Sequence, residues 1–279
     1  MSNILGCGEK QLEGDYKRII FAGEMRLKNS KTNSLYAAGD IDIENTNIKK
    51  LYLAGDLAAK AVVIGNGKVT GDINFSGICK AEKLVVLGDL SAEYLECNCL
   101  RNGTSKSKAK NTFNWAGFVK AKTIETLMPL LLNFDYEFDT MLVSANLIST
   151  TEIVCNSFYG FGEISAPCIN AETIFLLTTE GTEVNELVGS QITVATKFRP
   201  DKAFKAIPKT VKYPASDNDK ALVSFNAISG DKVKLESVKA NSVSGLEVVI
   251  GDLCVVDEVI YQESIKISDK AVVGRVIKQ

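Results

Sequence analysis

Apolar and polar residues alternate along much of this chain, and a Gly-acid-aliphatic step resets the alternation at a nearly fixed interval. That step reads Gly23-Glu24-Met25, Gly39-Asp40-Ile41, Gly55-Asp56-Leu57, Gly71-Asp72-Ile73 and Gly88-Asp89-Leu90, with successive glycines 16, 16, 16 and 17 residues apart. Around each glycine the apolar positions fall on every second residue. Two before it stand Phe21, Ala37, Leu53, Val69 and Val86; two after it stand Met25, Ile41, Leu57, Ile73 and Leu90. Four after it stand Leu27, Ile43, Ala59, Phe75 and Ala92. A spacing of two places side chains on one face of a strand, so these residues point inward and the acid after each glycine points to water. Glycine itself suits a bend where a Cβ would clash or φ must be positive.

A repeat of 16–17 residues is too short for helical repeats and falls just below the leucine-rich range. It matches one coil of a parallel β-helix. The expected fold is all-β, a right-handed parallel β-helix (solenoid), with each inward residue about 4.8 Å from its counterpart in the next coil. One coil cannot bury its own apolar face, so stability comes from stacking neighbours.

The register is interrupted twice. Residues 101–111, RNGTSKSKAKN, are polar and basic and read as a loop extruded between coils, after which Trp115-Ala116-Gly117-Phe118-Val119 resumes the glycine step. Val143–Leu147 and Phe161–Ala166 read as two degenerate coils 17 residues apart, and Phe134, Tyr136 and Phe138 alternate with Asp135, Glu137 and Asp139 as in a half-buried strand. Residues 197–220 hold three of the five prolines and read as a Pro/Lys-rich linker. Ile228-x-Gly230-Asp231 and Ile250-Gly251-Asp252 then resume the step. The expected organisation is a β-helix over 1–196, the linker at 197–220, and a shorter C-terminal β-helical module at 221–279.

Composition removes several functions. A net charge of −2 gives no global attraction for nucleic acid. The chain contains no His, the commonest general base, proton shuttle and metal ligand. Left-handed β-helix acyltransferases share a coiled repeat, but theirs is a hexapeptide and they depend on a catalytic His; neither occurs here. No phosphate loop, dinucleotide fingerprint or nucleophile elbow is present. The first ten residues lack a basic start and a long apolar run, and with seven cysteines the expectation is a reducing cytoplasm, with contact to a membrane surface allowed.

The remaining chemistry has bland readings. Cys97 and Cys99, two apart on one strand face, could join Cys7, Cys79, Cys155, Cys168 or Cys254 at a metal, but C-N-C lacks the spacing of a zinc pair, and free cysteines pack as small hydrophobes. The column Glu24, Asp40, Asp56, Asp72, Asp89 could bind calcium or cleave sugars. A regular solvent-facing ladder does not, however, separate an acid from a base. The expectation is a solvated surface, without catalytic residues, metal or cofactor. Arg101, Lys106, Lys108 and Lys110 could touch anionic lipid or a partner. In the linker, Phe198, Arg199, Lys202, Phe204 and Lys205 mix aromatic and basic residues as membrane-surface segments do.

The Gly-Asp-aliphatic coil, with the closing stretch GDKVKLESVKANSVSGLEVVIGDLCVVDEVIYQESIKISDKAVV and its Ile260-Tyr261-Gln262-Glu263-Ser264 segment, resembles the bactofilins. These are bacterial cytoskeletal proteins, and the closing stretch looks most like the end of the longer Gram-positive type. The likeness covers residues 15–100 and 221–279. It implies nucleotide-free, end-to-end self-association, often near a membrane. A terminal coil carries unpaired backbone groups and an uncovered core, an edge that recruits another strand. By position, Leu12, Ile19 and Phe21 near the start and Ile265, Ile267 and Val273 near the finish are the expected end contacts. The expected function is a non-enzymatic scaffold whose main partner is itself. The alternative is a monomeric module that contacts a protein or membrane through the basic loop or linker.

Overall fold

From Gly23 to Gly88 the coils turn at a point where only hydrogen fits between successive backbones. The computed structural model describes residues 1–104, 111–177, 179–197 and 222–279, and its strands pair in parallel from coil to coil with no helix among those residues. The chain is a parallel β-helix. It divides into two compact units, Met1–Phe138 and Asp139–Gln279.

In the first unit the register follows the glycine spacing. Ile41 pairs with Leu57 and Leu57 with Ile73, while Tyr36 pairs with Tyr52 and Tyr52 with Lys68. The inward columns are buried as the two-residue spacing predicts. Met25, Ile41, Leu57, Ile73 and Leu90 are at most 2 % exposed, and Leu27, Ile43, Ala59, Phe75 and Ala92 lie in the core beside them. Each such aliphatic side chain removed from water contributes roughly 1.5–3 kcal/mol. Like therefore packs on like through the whole height of the stack.

The glycines are required by both conformation and space. Gly71 has φ +148°, and a Cβ placed on it would lie 2.6 Å from the carbonyl carbon of Gly55 in the coil below. A second corner, which the glycine pattern does not announce, stands at Asn29, Asn45 and Ala61, with φ of 45°, 49° and 51°. After each left-handed residue a small side chain turns inward: Ser30, Thr46 and Val62 are all buried. The Ser30 hydroxyl donates to the Lys28 carbonyl at 2.6 Å and that of Thr46 to the Glu44 carbonyl at 2.8 Å, so these buried polar groups are satisfied locally.

The interruption after the fifth glycine shifts the expected register. Gly117 stacks over Ala92, not over Gly88, and Trp115 takes the inward position above Leu90. The Asn114 amide bonds to the Asp89 carboxylate across 25 residues, so the insertion restores the stack at a point other than the next glycine. Trp115 is fully buried there, with its indole N–H 3.4 Å from the Gly88 carbonyl.

The second unit continues the same logic with a variable coil length. Leu147 pairs with Ile164, as the degenerate coils predict, and Cys155 pairs with Ala171. The organisation differs from expectation after residue 195. The strand Val223–Leu235 pairs directly with Glu183–Ala195, through contacts such as Leu187 with Ile228 and Ile192 with Val233. Residues 222–279 are therefore further coils of the same unit, and the chain divides at 138/139 instead of at the proline-rich segment.

Substituting Gly71→Ala should lower the stability of the first unit by about 2–3 kcal/mol, because the left-handed backbone and the Gly55 carbonyl both oppose a Cβ. Conversely, Ala61→Gly should raise it by about 1 kcal/mol by relieving a strained non-glycine residue. Urea unfolding followed through the lone Trp115 reads both changes, and equal midpoints for the three proteins would contradict this account of the corners.

Candidate functional site

Two regions carry the chemistry that the sequence singles out: the acidic column at the glycine corner and the terminal coils. At the corner Gly39, Gly55 and Gly71 have positive φ, and one peptide there is reversed. The Gly39 and Gly55 amides still donate upward, to the carbonyls of Ala54 and Thr70, and Ile41 and Leu57 donate upward to Asp56 and Asp72. The amide of the intervening aspartate instead points down, where the coil below offers no carbonyl. The side chain beneath replaces it. The Asp56 amide donates to Asp40 Oδ1 at 3.1 Å, and the Asp72 and Asp89 amides donate to Asp56 and Asp72 Oδ1, each at 2.8 Å. The Asn114 amide closes the series on Asp89 Oδ1 at 2.8 Å. The acidic column is exposed, as expected of a solvated face, and its four aspartates also form a hydrogen-bond ladder in which each carboxylate serves the backbone of the next coil.

This arrangement spreads the carboxylates evenly and commits one oxygen of each of the four aspartates to an amide. A groove of about 530 Å³ runs past Glu9, Lys10, Glu24, Arg26, Asp40 and Asp56, with cations and anions interleaved. Among the described residues no three Cys, Asp or Glu side chains converge as a metal site would need. Two acids of the aromatic strand are likewise engaged. Glu137 accepts from the Lys120 ammonium at 2.6 Å, and Asp139 accepts from the Asn156 amide at 3.4 Å.

The cysteines are spread through the chain. Cys97 and Cys99 do not share a face, because the chain turns between them: Cys97 and Leu100 both point into the core. Burial pushes the Cys97 and Cys155 thiols up to about 12. Cys99 is half-buried and shifted upward by desolvation and then by the nearby Glu125 carboxylate. Cys7 is exposed. Thiolate is the reactive form, so the buried thiols are inert.

The residues expected at the ends separate sharply. Leu12, Ile19 and Phe21 are 6 %, 0 % and 3 % exposed, so they belong to the core and cannot form a contact surface. Named by their position near the start, they face inward, as Phe21 does two residues before the glycine of its coil. The other three lie in the coil around residues 263–278. Ile265 pairs with Val248 and Ile267 with Ile250, and Val273 and Val276 pair with Val256 and Val259. The lower member of each pair is at most 1 % exposed, whereas Ile267 is 41 % and Val276 45 % exposed, and Ile265 and Val273 are half-buried. The four inward columns lose their cover at this coil. Sequence position named three of these residues; the fourth, Val276, is recoverable from its spacing of three after Val273.

The basic segments give a mixed outcome. Arg101 is not a free loop cation: it ends the strand Leu90–Asn102 and pairs with Glu125, which is 4 % exposed. Lys106, Lys108 and Lys110, with Phe198, Arg199, Lys202, Phe204 and Lys205, lie outside the described residues. No helix among the described residues is long and apolar enough to cross a membrane. No family model matches the chain, and no curated protein or solved structure matches it.

Two expectations follow. Asp56→Ala should cost the first unit about 1 kcal/mol by orphaning the Asp72 amide, while Asp56→Asn, which keeps an acceptor oxygen, retains most of the stability. Chemical denaturation of the three proteins distinguishes this from a merely solvated carboxylate, for which both substitutions would be neutral. A thiol-specific reagent near neutral pH should label Cys7 in the native protein and reach Cys97 and Cys155 only after unfolding, as peptide mapping would show.

Proposed function

We propose that this protein is a non-enzymatic structural scaffold whose copies associate through terminal coils without nucleotide. The observation that carries this reading is the exposed rim of the coil around residues 263–278. There, aliphatic side chains continue four buried columns and nothing among the described residues covers them. A second copy stacked on that coil would bury Ile267, Val272 and Val276 and pair the free edge of the strand Val272–Lys278. Dedicated carboxylates and inert thiols support the non-enzymatic reading, and the coil pattern shared with bactofilins supports the scaffold role.

The alternative, a monomeric module that meets a protein or lipid surface through basic segments, draws on residues 105–110 and 198–205. It loses Arg101, whose charge is neutralised by Glu125.

Purified protein at micromolar concentration should form assemblies in negative-stain images with no nucleotide present. Replacing Ile267 and Val276 together by Glu should weaken association at least tenfold, since each side chain otherwise buries apolar area worth above 1.4 kcal/mol. The circular dichroism of the variant should match that of the parent. Dispersed monomers of the parent across salt and pH would overturn the proposal.

A further inference from the structure

A second surface of the first unit has the composition of a contact. On the sheet that precedes the glycine corner, Tyr36 pairs with Tyr52, and both side chains point outward between the buried Leu35 and Leu51 and their inward neighbours. A Cβ on Gly39 would lie 2.9 Å from the Gly23 carbonyl carbon, and one on Gly23 would lie 3.0 Å from that of Gly8. These close approaches stack Gly8, Gly23 and Gly39, which puts Ile20 beneath Tyr36 and Leu5 beneath Ile20. The outward column thus reads Leu5, Ile20, Tyr36, Tyr52.

This column is apolar and accessible. Leu5 is 82 %, Ile20 41 % and Tyr52 45 % exposed, and the two tyrosine rings stack with centroids 5.1 Å apart and planes 2° apart. The next outward column toward the corner is Ala22, Ala38 and Ala54, all exposed and too short to shield it. The strip spans four coils, about 15 Å at strand spacing. In the following coil Lys68 occupies the same column and ends it.

Its rims carry opposite charges. On one side stand the exposed Arg18 and Lys50; on the other, past the alanines and the corner, stand the exposed Glu24, Asp40 and Asp56. Exposed apolar strips with polar rims mark association surfaces. The acidic rim argues against an anionic lipid surface, which would attract one side and repel the other.

We propose that this face pairs with the same face of a second copy about a two-fold axis parallel to the coil stack of the first unit. Rotation about that axis carries each basic rim onto the partner's acidic rim at the same height. Arg18 then meets the Glu24 position and Lys50 the Asp56 position, while Tyr36 and Tyr52 meet their own counterparts on the axis. A two-fold axis across the stack instead sets Arg18 and Lys50 against a basic rim, so charge selects the parallel arrangement. The contact uses no residue of the coil at 263–278, so it stands or falls separately from the scaffold reading.

The test uses the full chain carrying Ile267→Glu and Val276→Glu, which removes the end contact from the measurement. Sedimentation velocity should show a concentration-dependent dimer. Adding Arg18→Glu alone, or Glu24→Arg alone, should raise its dissociation constant at least tenfold. Mixing those two variants should restore dimer, because each mixed interface then opposes Glu with Arg at both symmetry-related positions. Tyr52→Cys in a Cys7→Ser background should form an intermolecular disulfide under mild oxidation. A parent that stays monomeric at every concentration overturns the proposal. So does a mixture no more dimeric than its components, or recruitment of the parent to anionic vesicles that Ile20→Ser abolishes.

Discussion

The structure depends on how closely two backbones approach at the glycine corner. Strand spacing there leaves no room for a Cβ, and the positive φ that permits the approach also turns one amide away from its usual carbonyl. An amide turned from its ladder partner gains when a side chain accepts it, and a fold that repeats this corner can supply that acceptor each time. The residue after the glycine does so: Asp40, Asp56, Asp72 and Asp89 each accept the amide one coil above. Glycine and aspartate are thus two halves of one device, the first allowing the turn and the second satisfying the group that the turn exposes. The aliphatic columns beside it add the apolar burial that makes the stack cohere.

This explains what was legible in the chain and what was not. Columns of Met25, Ile41, Leu57, Ile73 and Leu90 are readable from spacing alone, because a period of two and a fixed coil length leave a single inward set. The role of the aspartates was hidden. A carboxylate beside glycine looks like a solvated residue until the reversed peptide is known, and that reversal lives in φ, not in residue type. The second corner was hidden for a related reason: Asn29 and Asn45 are recognisable turn residues, but Ala61 in the same conformation carries no signal. Arg101 read as a loop cation because its partner Glu125 is remote in sequence and becomes adjacent only after the insertion is closed.

The insertion also shows how a polar residue enters the core of a solenoid. Asn102 pairs with Val86 below and Thr126 above, so it occupies an inward column and is fully buried. Its side-chain carbonyl accepts the amides of Leu127 and Met128 at 3.2 and 2.8 Å, the point where the next coil leaves its regular path. The Leu127 amide also has the Asn102 backbone carbonyl at 3.1 Å, so the buried side-chain oxygen matters most to Met128. A residue such as Val at this position would fill the column and leave the Met128 amide orphaned.

Coils differ in stability according to how many neighbours they have, since a solenoid's energy is a sum of contacts between adjacent repeats. The coil around residues 263–278 has one such neighbour among the described residues. Its apolar side chains gain less burial than those one layer deeper, as Val276 against Val259 shows. What joins it to the layer beneath is partly electrostatic: Arg275 pairs with Glu258, and Lys270 and Ser268 bond to the Asp252 carboxylate at 2.8 and 2.5 Å. These groups are exposed, and exposed pairs contribute little to stability and are screened by salt. A layer held partly by such pairs is therefore also one whose inward side chains are accessible. Stacking a further copy relieves both deficits at once, covering Ile267 and Val276 and giving the coil a second neighbour, so association and local order at this end are expected to rise together.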